Sequence, residues 1–251
     1  MKTVLLCRDG AVGRYLAHSL SDAGLIDAIV SESGRRARGR KLRREWARTP
    51  WWRVPLFGLD LAALATYGWL WARTLDRRLR GHPAVSGYPT DVPIAHVDDA
   101  NDPDCVSLLS DLAPDVLVVS GTSILGAQVL EIPAQAALNV HGGIVPEYRN
   151  VHSEVWAVLN GDRANVGTSI LHLDEGIDSG AVAMMGRVSD AKGLFDLRWR
   201  NVELASKLII EALRRLEAGT LPRDPQDGGR SGFYGTPGVT ALLRLAFRRG
   251  P

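Results

Sequence analysis

The chain alternates between short continuous apolar runs and longer stretches in which apolar residues recur every three or four positions. Residues 3–7, 26–30, 92–97, 115–120 and 136–141 have strand length and little polar alternation, the mark of strands covered on both faces. Between the first two, Leu16 and Leu20 fall on one helix face that ends near Gly24. Residues 98–104 supply capping side chains for a helix reaching Leu112. Residues 153–160 read as a helix with Ser153 as N-cap and with Trp156 and Leu159 on one face. Two strands at 166–173 and 181–188 follow, then a long amphipathic helix at 193–219. The tail holds a Gly/Pro-rich loop, the pair Phe233-Tyr234 and a short basic helix to Arg249. Strand, glycine-bearing loop, helix, strand is how an α/β domain of nucleotide-binding type begins.

One region breaks this rhythm. From Arg35 to Arg44 the chain is dominated by arginine, and five of its seven tryptophans, Trp46, Trp51, Trp52, Trp69 and Trp71, follow closely. Residues 56–72 are apolar apart from Asp60, with Arg53 and Arg73 on the flanks. Residues 31–80 contain 13 Lys/Arg and 4 Asp/Glu, a balance of +9, whereas the remainder carries 17 and 24, a balance of −7. The small net charge of +2 therefore hides two blocks of opposite sign, and the basic block reads as a helical insertion with its own face or partner. Three readings stand for it: a helix packed on its own domain with a solvated arginine face, contact with a membrane surface, or contact with nucleic acid. A full span is disfavoured, because a bilayer needs about 20 apolar residues and this run is shorter and contains Asp60.

Composition narrows the class further. Cys7 and Cys105 are the only cysteines and lack metal or redox spacing, and the six histidines form no compact ligand cluster. A reducing cytosol and no structural zinc are expected. The apolar run at residues 3–7 is too short for a signal peptide and is expected to be a core strand, which again suits a cytoplasmic protein, with membrane-peripheral placement as the variant.

Candidate chemistry lies at strand ends. Alternation puts Asn139 and His141 on the same side of the strand at 136–141, just before Gly142 and Gly143. An Asn amide can donate to a carbonyl oxygen and to the oxyanion it becomes, and an imidazole can polarise that carbonyl or move a proton near neutral pH. In the loop joining the two later strands, Asp178 can orient the imidazole or accept a proton from an attacking nucleophile. Such a trio suits direct acyl transfer between two amines. Each member also has a plain structural reading, as turn former, core histidine or loop cap. Asp174 and Glu175 compete with Asp178, and His152 and His172 with His141. The loop Arg8-Asp9-Gly10-Ala11-Val12-Gly13 is either a phosphate cradle or a simple strand-to-helix turn.

Asn139-x-His141 with the following Pro146 and Tyr148-Arg149, then residues 167–172 and Asp178-x-Gly180, resemble the formyltransferases that use 10-formyltetrahydrofolate. The resemblance covers residues 1–30 loosely and 92 to about 220 well. It implies a Rossmann-like, mostly parallel twisted sheet with helices on both faces, forming a catalytic domain over residues 1–220 with the helical insertion at about 35–85. Residues 221–251 would be a C-terminal loop and short helix. It implies catalytic roles for Asn139, His141 and Asp178, and 10-formyltetrahydrofolate as formyl donor. The donor pocket would be walled by Thr122, Ser123, Ile124 and Leu125 and by Asp174, Glu175, Gly176 and Ile177. Arg8, Asp9, Gly10, Gly13, Tyr148 and Arg149 are expected on the acceptor side. Asn150 stands where the family usually has glycine, and the loop at residues 8–13 lacks the phosphate-loop composition of the ribonucleotide enzymes. With only about thirty residues after the long helix, a separate C-terminal barrel like that of the tRNA enzymes is not expected. The implied acceptor is the amino group of a small molecule, with a nucleotide-linked amino sugar as the leading example. Formylation of methionyl-tRNA or of a peptide amine is the alternative, and a catalytically silent binding or membrane-associated relative is the alternative of another class. DNA is not an expected partner and RNA is disfavoured; peripheral membrane contact through residues 35–80 and a homodimer are compatible with this reading.

Overall fold

Strand β1 (Thr3–Arg8) is buried along almost its whole length and lies inside a seven-stranded sheet of order β3-β2-β1-β4-β5-β7-β8. The computed structural model describes the chain except residues 35–38, 40–42, 44–45, 48–49, 189–190, 192, 227–229 and 248–251. The remaining members are β2 (Ala28–Glu32), β3 (Ile94–Val97), β4 (Val116–Ser120), β5 (Ala136–His141), β7 (Gly167–His172) and β8 (Val182–Arg187). Pairing is parallel from β3 through β5, then antiparallel from β5 to β7 and from β7 to β8. A separate two-stranded ladder joins β6 (Arg149–Asn150) to β9 (Phe233–Tyr234).

Because side chains alternate across a strand, β1 feeds two cores. Leu5 and Cys7 meet Leu16 and Leu20 of α1 (Ala11–Asp22) and Ile209 and Leu213 of α6 (Leu194–Glu217). Val4 and Leu6 turn the other way, toward Cys105 and Leu109 of α3 (Pro103–Leu112) and Val129 of α4 (Ala127–Leu130). The helices thus cover both faces of a mostly parallel sheet, as expected. Each fully buried leucine in these layers contributes roughly 2 kcal/mol of apolar transfer.

Helix α2 (Val54–Arg78) is the long helix of the insertion and extends beyond the apolar stretch at 56–72. Pro55 suits its first turn and Arg77 and Arg78 its last. It buries Tyr67, Trp71 and Leu75, which with Leu79 pack against Ala11, Val12 and Tyr15 of α1 and Phe195, Trp199 and Val202 of α6. Asp60, the lone charge in the apolar run, is used: its Oδ1 accepts from the Val239 backbone N–H at 2.6 Å and so caps α7 (Val239–Phe247). Packing on the domain is therefore observed for one face of the insertion. The basic run Arg35–Arg44 lies mostly outside the described residues.

One local expectation is corrected. Ser153 is not the cap of α5 (Ser153–Leu159); His152, at φ 57°, holds that position, and the Ser153 hydroxyl instead donates to the Tyr148 carbonyl at 3.0 Å. A carbonyl that also serves His141 outcompetes the helix end for this hydroxyl.

Candidate active site

Strand β5 ends at the carboxyl edge of the parallel strands, the edge where open α/β sheets place ligands. Here the pairing changes direction, so the end of β5 lies beside the start of β7, with His141 opposite Ser169. Asn139 and His141 leave β5 on one side, and the loop between β7 and β8 returns Asp178 to meet them. Asn139 Nδ2 donates to Asp178 Oδ1 at 2.9 Å, and His141 Nδ1 lies 3.4 Å from Asp178 Oδ2. His141 and the Asp178 carboxylate are almost fully shielded from solvent. The structure thus brings together the three side chains singled out from the sequence.

What fixes them is partly backbone. His141 Nε2 is 2.8 Å from the Tyr148 carbonyl oxygen, which can only accept, so Nε2 carries a hydrogen and Nδ1 is the atom presented to Asp178. Asp178 sits at φ 50° and its Oδ2 also accepts the Asn150 backbone N–H at 2.8 Å. Gln226 Nε2 donates to the carbonyls of Asp178 and Gly180 at 2.7 and 2.9 Å, clamping the loop from outside. Gly143 is required by close approach, since a Cβ there would collide with the Tyr148 carbonyl, the Ser153 hydroxyl and His141 Nε2. Neither Asn150 nor Gln226 was assigned a role from sequence. An Asn in place of an expected glycine was the signal for the first, because φ is 78° there and Asn tolerates that region; nothing local pointed to the second.

The trio lines a cavity of about 460 Å³. One wall is the loop after β4: Thr122, Ser123, Ile124 and Leu125 all contribute. Ser123 is held by Glu32, which is fully buried at the end of β2 and accepts the Ser123 N–H at 2.9 Å and its hydroxyl at 2.5 Å. Arg8 Nη2 lies 3.4 Å from the same carboxylate and its Nε donates to the Gly121 carbonyl. On the far side of the loop, Asn101 donates to the Ile124 carbonyl and accepts the Gly126 N–H. Asp174, Gly176 and Ile177 form another part of the wall, whereas Glu175 is exposed and does not line it. Asp174 is occupied in shaping its turn, accepting from the Gly176 N–H and the Ser179 hydroxyl. His172 lies away from the cavity against the Pro222 carbonyl, while His152 lines it.

None of the six residues expected on the acceptor side lines this cavity. Arg8 braces the loop after β4, and Gly13 lets α1 approach β1, since a Cβ there would stand 2.5 Å from the Arg8 carbonyl oxygen. Asp9 faces a second cavity with Ser31, His96 and Asp98, and Gly10 lines neither. Tyr148 is buried, stacks on Tyr234 and donates to Asp162 at 2.8 Å; burial pushes its phenol up to about 12. Arg149 donates to the Ser231 hydroxyl. In their place the cavity is closed by Val12 and Leu16 of α1, Trp71 of α2, Glu154 of α5 and Arg198 of α6. Arg198 Nε pairs with Glu154 Oε1 at 3.2 Å, its Nη1 donates to the Tyr67 hydroxyl, and its guanidinium lies 4.5 Å from the Trp71 ring centre. Burial first, and the Glu154 charge second, push the Tyr67 phenol upward.

Residues 78–212, more than half of the chain, match the family described as Formyl transferase. The chain belongs to the formyl transferase family. The family match runs from the end of α2 to within α6, so it includes Asn139, His141 and Asp178 and leaves almost all of α2 outside. Among curated relatives, a methionyl-tRNA formyltransferase of Synechococcus sp. (strain JA-2-3B'a(2-13)) is 34% identical over 135 residues, 53% of this chain and 42% of the relative. The matched part thus spans less than half the length of that relative. Solved structures share the fold at low identity. A 4-N formyltransferase from Francisella tularensis superposes with a TM-score of 0.57 at 12% identity, covering 93% of this chain and 76% of that one. An N-formyltransferase from Helicobacter canadensis, solved with folinic acid and dTDP-3-aminofucose, gives 0.53 at 11% identity, covering 93% and 71%.

Proposed function

We propose that this chain transfers the formyl group of 10-formyltetrahydrofolate to the amino group of a small-molecule acceptor. The observation that carries the reading is the convergence of Asn139, His141 and Asp178 on one cavity wall, at 2.9 and 3.4 Å from one another, in a chain of the formyl transferase family. The folate would lie along the loop at residues 121–125 and the turn at 174–177, both of which line the cavity.

The acceptor nitrogen attacks the formyl carbon, forming a C–N bond and placing negative charge on the formyl oxygen. Asn139 gives one amide hydrogen to Asp178, which leaves its second to donate to that oxygen. His141, whose Nε2 hydrogen is held by the Tyr148 carbonyl, adds to this stabilisation when Nδ1 also carries a hydrogen. Asp178 takes the proton that the attacking amine loses, directly or through a water. Collapse breaks the bond to the folate nitrogen N10, which takes up the proton that Asp178 accepted from the amine. Two donors, the Asn139 amide and the Asn150 backbone N–H, hold the Asp178 carboxylate before substrate arrives, so little reorganisation is needed at the reacting centre.

Asp178→Asn is expected to lower turnover by about a hundredfold to ten-thousandfold while leaving the affinity for folinic acid, measured by calorimetry, nearly unchanged. A fully active Asp178→Asn protein would overturn the assignment. For the acceptor, the enclosed end of the cavity, with Arg198, Glu154 and Trp71, supports a small amine bearing polar or anionic groups, a nucleotide-linked amino sugar among them. A second reading, methionyl-tRNA as acceptor, is favoured by the sequence relatives. Competition assays separate the two: steeply salt-dependent RNA binding supports the second and its absence removes it.

A further inference from the structure

The outer face of α2 is not explained by the cavity or by packing. From Val54 to Ala72 the only charge is Asp60, and that carboxylate is turned inward to cap α7. Leu56, Leu59, Leu61, Trp69 and Leu70 are exposed, Leu59 at 57% and Trp69 at 56%, and Trp51 in the turn before the helix is 85% exposed. Soluble proteins rarely expose several large apolar side chains along one helix without a partner for them.

The partner can be identified by its chemistry. Exposed arginines bracket the apolar face: Arg53 at its start, and Arg73 and Arg77 at its end, with Arg73 lying 4.7 Å from the centre of the Trp69 ring. Together with the +9 balance of residues 31–80, this gives an apolar strip with tryptophans at its edges and cations around it. Indoles settle at the head-group level of a bilayer and arginines pair with anionic head groups. By length and composition α2 could cross a membrane, but its Tyr67, Trp71 and Leu75 face is committed to the domain. Only the opposite face remains available, so the helix can lie in the interface and cannot span it while the fold is intact. Among the described residues of α2 the cations flank the apolar strip and do not line it, an order that suits a lipid interface better than a phosphate backbone.

We infer that the outer face of α2 docks the protein on an anionic lipid surface. This does not depend on the formyl-transfer reading.

The test is co-sedimentation of the whole chain with vesicles of phosphatidylcholine alone and of phosphatidylcholine with about 30% phosphatidylglycerol. Binding to the anionic vesicles is expected, weakened at least about tenfold on neutral ones and by added salt. Trp51→Ser with Leu59→Ser and Trp69→Ser should lower the apparent affinity by about tenfold or more, since it removes the insertable surface. All three sites are solvent-facing, and an unchanged thermal melt establishes that the variant folds. Arg53→Glu with Arg73→Glu should abolish the preference for anionic vesicles. Failure of the wild type to sediment with either vesicle, or equal binding by the triple variant, overturns the inference. So does a wild-type dimer in light scattering that the triple substitution dissolves without vesicle binding, because a second copy would then cover the face. Retention by RNA in place of vesicles overturns it as well.

Discussion

Asn150 shows how a single backbone conformation serves the chemistry. At φ 78° it turns its N–H to Asp178 Oδ2 while its side chain donates to the Tyr234 carbonyl, tying β6 to β9. Asn150→Val is expected to destabilise the fold by about 1–2 kcal/mol, visible as a lower urea midpoint, because a β-branched residue resists this region. The same change should reduce kcat by misplacing Asp178. Asn150→Gly should keep most of the turnover, since glycine adopts the same φ freely. Equal midpoints for the Val and Gly variants would refute the role assigned to φ. Asn139, His141 and Asp178 could be singled out in the sequence because they stand at the end of an apolar strand and in the short loop between two strands. The donors that fix Asp178 were not, because Gln226 lies 48 residues downstream and meets the loop only through tertiary folding.

At the level of elements, the loop after β4 matters most, since it walls the cavity yet is held from outside it. Glu32 crosses from β2 to take both donors of Ser123, a bond between residues 91 apart in sequence. Glu32→Gln preserves volume but turns one acceptor oxygen into a donor facing donors. It should raise KM for the folate donor by about fivefold or more with a smaller effect on kcat, as expected for a positioning residue. Steady-state kinetics with the donor varied checks this, and a pure kcat defect would contradict it. Asp60 is a second cross-element tie: Asp60→Ala should cost about 1 kcal/mol by uncapping α7. The strands were readable because buried parallel strands appear as uninterrupted apolar runs. The placement of α2 was not, because apolar residues surround it and periodicity cannot tell the face that packs from the face that does not. Tyr148 and Arg149, expected on the acceptor side, stand outside the cavity lining, with the Tyr148 hydroxyl donating to Asp162 and Arg149 Nη2 to Ser231.

For the molecule as a whole, stability should depend on alkaline pH through its two buried thiols, Cys7 and Cys105. Burial pushes Cys7 from 9.0 up to about 11. Above pH 9 the unfolded chain releases this proton and the native one keeps it, so native stability falls as pH rises from 9.0 to about 11. Burial raises Cys105 from 9.0 to about 11 as well, so urea midpoints across that window should decline, Cys7→Ala should lessen the decline and removal of both thiols should lessen it further. Helix α2 packs on the sheet domain by one face and is exposed to solvent on the other. Trp71 lines the cavity from the same helix whose Leu59 and Trp69 face outward. Any coupling between occupancy of the two faces must be reciprocal. Whatever factor a surface bound outside imposes on affinity for the ligand inside, that ligand imposes on affinity for the surface.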